Sequence, residues 1–195
     1  MGQEVGRILQ SSTTQFTAGC RILLRDIPSF GSFVKVNAQD GSRIYGLIYN
    51  VAIQDDPMVR QLIVSPELAD EYMKDQRENR QVPVELSVLV VGYERDGVIR
   101  QELPPQPPVT LSPVETCDDE EIREFARTGF DFIRTILNAP NIPAEEVLVV
   151  ALRRAAQTQG SAGRQFLLEA GRELAKLLSQ DMVRLEAILR KLRVP

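Results

Sequence analysis

Histidine and tryptophan are missing from this 195-residue chain, lysine occurs four times and cysteine twice. Each shortage removes a chemistry. Without histidine there is no Ser-His-Asp or Cys-His nucleophile system and no histidine-ligated zinc. Cys20 and Cys117 stand far apart and form no CxxC pair. That argues against thiol–disulfide exchange, zinc hydrolysis and a disulfide scaffold; two reduced thiols in a cytoplasmic protein are expected instead. Lys35, Lys74, Lys176 and Lys191 follow Val, Met, Ala and Arg, so the chain has no Gly-Lys dipeptide and no P-loop. No metal and no cofactor is expected. No apolar run approaches the roughly 18 residues of a membrane-spanning helix, so no membrane partner is expected. Met1 to Val5 lacks the basic and apolar regions of a signal peptide, and Gly6 stands where a myristoylation signal needs a hydroxyl.

What is present divides at a cluster of prolines, Pro104, Pro105, Pro107 and Pro108. Before it, apolar residues alternate as in half-buried strands. Val5 to Ser11 reads as a first strand, and Phe16, Ala18, Cys20 and Ile22 place one face of a second inward. Phe33 to Val36 is a third. Asp40-Gly41 is a hairpin signal into Arg43 to Ile53, where Tyr45, Leu47, Tyr49, Val51 and Ile53 are expected on one face and Gly46 opposite marks a bulge or tight bend. Val82 to Tyr93 is a long strand, and Asp96-Gly97 turns it into Val98 to Leu103. Pro66 to Asn79 reads as an exposed helix inserted in the sheet. Six or so short strands joined by tight turns predict a small antiparallel barrel.

After the prolines the period becomes helical. Thr116 or Asp118 caps a helix whose Ile122, Phe125, Ala126, Phe130, Ile133 and Leu137 form one stripe. A second helix follows Pro143, and Gly160-Ser161-Ala162-Gly163 is a turn. Arg164 to Leu192 is helical with a break at Gln180-Asp181. Leu174, Leu178, Met182, Leu185, Leu189 and Leu192 form a heptad-like seam that packs on the preceding helices or joins a second chain. The expected fold is α+β: a barrel over 1–108, then an α-helical bundle over 109–195.

The strand half resembles the HAS barrel, which precedes the motor domain of HerA-type DNA-translocating ATPases and has a relative at the start of rotary ATP synthase large subunits. The resembling segments are Val5-Gly6-Arg7-Ile8, Thr14-Gln15-Phe16-Thr17, Gly31 to Val36, Ile44 to Tyr49, Val91-Gly92-Tyr93 and Leu103 to Pro108. Those ATPases continue into a nucleotide-binding domain, which the missing Gly-Lys rules out for this chain. The resemblance therefore implies the barrel's other role, subunit contact and docking of partners.

Three functions follow in order. The first is a non-enzymatic interaction protein that docks a protein partner, an ATPase or nuclease in DNA processing, or its own copies. The second is a nucleic-acid-binding module: arginine is abundant and its planar group suits phosphate, although the net charge of −4 and the aromatic content of 6% do not suit a general binder. The third is an enzyme working through carboxylates and arginines. Candidate partner-binding residues are Asp55, Asp56 and Arg60, in a loop after a strand, and the pair Arg153 and Arg154. Two carboxylates in a loop suit a hard cation, but adjacent residues point apart, and a turn before Pro57 explains them. Asp118-Asp119-Glu120-Glu121 is explained by capping and the helix dipole. Arg190, Lys191 and Arg193 suit the negative end of a helix.

Overall fold

The computed structural model describes residues 2–54, 59–60, 79 and 81–192. Asp55, Asp56 and Pro57, and all of the helix expected over 66–79 except Asn79, lie outside the described residues.

The strand half is a closed six-stranded antiparallel barrel. Its strands are β1 (Glu4–Ser11), β2 (Gln15–Leu23), β3 (Phe33–Asn37), β4 (Arg43–Ile53), β5 (Gln81–Arg95) and β7 (Pro113–Thr116). The order is β2-β1-β7-β3-β4-β5, and β2 pairs with β5 to close the ring. Short β6 (Val98–Arg100) pairs with the far end of β5 across the expected Asp96-Gly97 turn, where both residues take positive φ, 54° and 74°. Val5, Ile8, Phe16, Ala18, Val34, Val36, Ile44, Ile48, Leu86, Val88, Val90 and Val114 fill the interior.

Three sequence expectations are corrected here. First, the prolines do not end the sheet. β7 lies beyond them and fits between β1 and β3, so the barrel runs to Thr116. Second, Tyr45 to Ile53 do not share one face. The register with β5 shifts between Ile48 and Asn50, so Tyr45 and Leu47 face outward while Val51 packs against the barrel interior. A bulge adds one residue and inverts the alternation behind it. Gly46 faces inward, where a Cβ would lie 2.4 Å from Val88 Cγ1, and the register shifts there too.

Third, the first helical stripe is not one helix. It is α1 (Asp119–Arg127) and α2 (Asp131–Leu137), separated by Thr128, Gly129 and Phe130. The cause is a residue of the strand half. Gln101 Nε2 donates to Phe125 O, Thr128 Oγ1 and Gly129 O, and its Oε1 accepts from Phe132 N. One amide thus caps the end of α1 and the start of α2.

α3 (Ala144–Thr158), α4 (Gly163–Leu177) and α5 (Met182–Leu192) follow as expected, with a short 3-10 turn over Gly160–Ala162. α3 is the central helix, packing on α1, α2, α4 and α5. In the heptad-like seam Leu174, Leu178, Leu185 and Leu192 are buried and Leu189 is partly buried, whereas Met182 is 63% exposed. The helices also cover one side of the barrel: Phe33, Tyr45, Leu47, Leu89 and Val91 share a core with them. Phe125 is the hub, with ring centroids 5.9 Å from Phe33, 5.3 Å from Tyr45 and 5.7 Å from Phe132. No helix among the described residues is long and apolar enough to cross a membrane.

Candidate docking face

Of the candidate partner-binding residues singled out in sequence, Arg60, Arg153 and Arg154 lie among the described residues. Arg60 is exposed and makes an interaction of its own. Arg153 and Arg154 diverge from α3: the first donates to Lys191 O on α5, the second pairs with Asp119 on α1. Lys191 in turn pairs with Glu146. These cations tie helices together. Asp118 and Glu121 form a capping box, each side chain accepting from the other's backbone N–H at 3.1 and 3.0 Å.

A second polar group joins barrel to helix. Lys35 on β3 pairs with Glu121 and lies 3.7 Å from Glu115; Arg43 on β4 reaches Glu94 at 3.2 Å and Glu121 at 3.8 Å. Tyr45 Oη donates to Glu94 at 3.0 Å. Burial works against the Lys35 ammonium, but the hydrogen bond and charge of Glu121 outweigh it and hold its pKa above the usual lysine value. Cys117 sits beneath this group, and burial foremost, then the charge of Glu121, pushes its thiol well up. A buried thiol with a raised pKa is a poor nucleophile. The group is a clamp between β3, β4, β5 and α1.

The described helices pack on the β3–β4–β5 side, and the opposite side, β1, β2 and β7, exposes apolar side chains. Leu9 sits at the β1 bulge, 55% exposed, with its side chain over Gly19, where a Cβ would lie 2.9 Å from Leu9 Cδ1. Leu111 N donates to Ile8 O, so the two leucines have neighbouring backbones. Leu111 is 72% exposed and takes φ 68°. Val109 beside it is also exposed. For a branched L-residue the left-handed conformation costs roughly 1–2 kcal/mol. Leu111 gains little burial in return.

Residues 103–112 form a strap from β6 to β7. Pro104 and Pro108 are buried; Leu103, Pro105, Gln106, Pro107, Val109, Thr110 and Leu111 are exposed. Ser11 Oγ donates to Pro108 O at 2.6 Å and Arg7 Nη1 to Leu111 O at 3.2 Å, fixing the strap to β1. Beside it Gln10, Ser11, Ser12, Gln15, Phe16, Thr17 and Tyr49 line an open hollow of about 380 Å³. Tyr49 Oη donates to Gln15 Oε1 at 2.8 Å. Sequence reasoning missed this face. One signal was available: Leu103 to Val114 holds no charged residue in a chain that is 26% charged.

No protein-family model and no curated protein matches this chain.

Proposed function

We propose that this protein is a non-enzymatic docking module whose barrel, of the HAS type, binds a protein partner or its own copies while the helices form a bundle behind it. The partner class is an ATPase or nuclease in DNA processing. The observation that carries the reading is Leu111: an exposed leucine held in a strained conformation, beside exposed Leu9 and Val109, on the barrel side away from the described helices. Leu111 makes backbone hydrogen bonds to β1, but its side chain gains little burial for the strain, and that supports a role outside its own fold. The missing P-loop and the absence of histidine support a role without catalysis.

Leu111→Asn tests this. Asparagine tolerates the left-handed conformation, so the variant folds at least as well as wild type. Tagged wild type, in nuclease-treated lysate of its cell of origin, retains a stoichiometric protein, and the variant loses it. Retention that disappears on nuclease treatment favours nucleic-acid binding instead. Equal retention by both proteins refutes the assignment of this face.

A further inference from the structure

We draw no further inference here: the strongest candidate, the N-terminus of α4 at Gly163 together with the Gln159 Nε2 that has no hydrogen-bond partner among the described residues, carries nothing, because Gln159 is only partly buried and no second feature of that turn points to a ligand.

Discussion

Replacing Gln101 by leucine probes the joint on which the helical half is oriented. The substitution keeps side-chain size and removes four contacts: from Nε2 to Phe125 O at 2.9 Å, Thr128 Oγ1 at 3.1 Å and Gly129 O at 3.0 Å, and from Phe132 N to Oε1 at 3.2 Å. Phe125 O keeps a partner, since Thr128 Oγ1 also donates to it at 2.8 Å. The loss therefore falls on Gly129 O and Phe132 N, which lie in a partly buried joint. A lost hydrogen bond costs about 1 kcal/mol, and a group left without a partner up to about 3. With partial access of water the sum is about 2–4 kcal/mol. For a domain of this size that lowers the melting temperature by roughly 5–15 °C. Thermal unfolding followed by circular dichroism measures it, and hydrogen exchange at the Phe132 amide localises it. A shift below about 1 °C with unchanged Phe132 protection refutes the reasoning. The helix break would then be held by Gly129 itself, whose φ of 145° few L-residues adopt.

Gly46→Ala puts a methyl against Val88, whose stiff, β-branched side chain is fully buried. Overpacking of about 1–3 kcal/mol is expected in urea unfolding, and no loss would mean that the barrel interior has slack there. Asp118 carries a pH dependence. The Glu121 backbone N–H, donating to its carboxylate, holds its pKa below the usual value. A carboxyl group depressed in the folded state adds stability above its unfolded pKa of about 3.9, and that contribution is lost as pH falls through the folded value. Asp118→Asn keeps the cap without the charge, so between about pH 5 and pH 2 its urea midpoint falls less steeply than that of wild type. A difference between the two proteins that is constant over this range contradicts the capping account.

The strands were legible because a half-buried strand must alternate, and Phe16, Ala18, Val34 and Val36 do point inward. The inversion at Tyr49 was not, since a bulge has no composition of its own. The same holds for α1 and α2: their stripe is continuous in sequence, and the break comes from Gln101 on another element. β7 was hidden by its length, four residues next to prolines. A clue to the covering helices was present all the same. Ile44-Tyr45 and Leu47-Ile48 in β4, like Val88-Leu89-Val90-Val91 in β5, are apolar on both faces, which a barrel with one wet side does not need. For the proposed docking face, the uncharged stretch after Glu102 was visible; that it stays exposed depends on β1 and could not be read locally.

The shared core decides how docking can be separated from folding. Phe33, Tyr45, Leu47, Leu89 and Val91 are barrel residues by position, yet they are buried by α1, α2 and α3. A fragment ending at residue 108 lacks β7, so β1 and β3 each lose a strand partner and the ring opens. It also uncovers the Phe125 contact face and releases Lys35 from Glu121. Open strand edges beside a bare apolar face are aggregation sites, and sticky fragments capture partners indiscriminately. The described helices pack on the β3–β4–β5 side, so the proposed docking surface is β1, β2, β7 and the strap. Leu111→Asn, at an exposed residue outside both cores, therefore tests the proposed docking without opening either core.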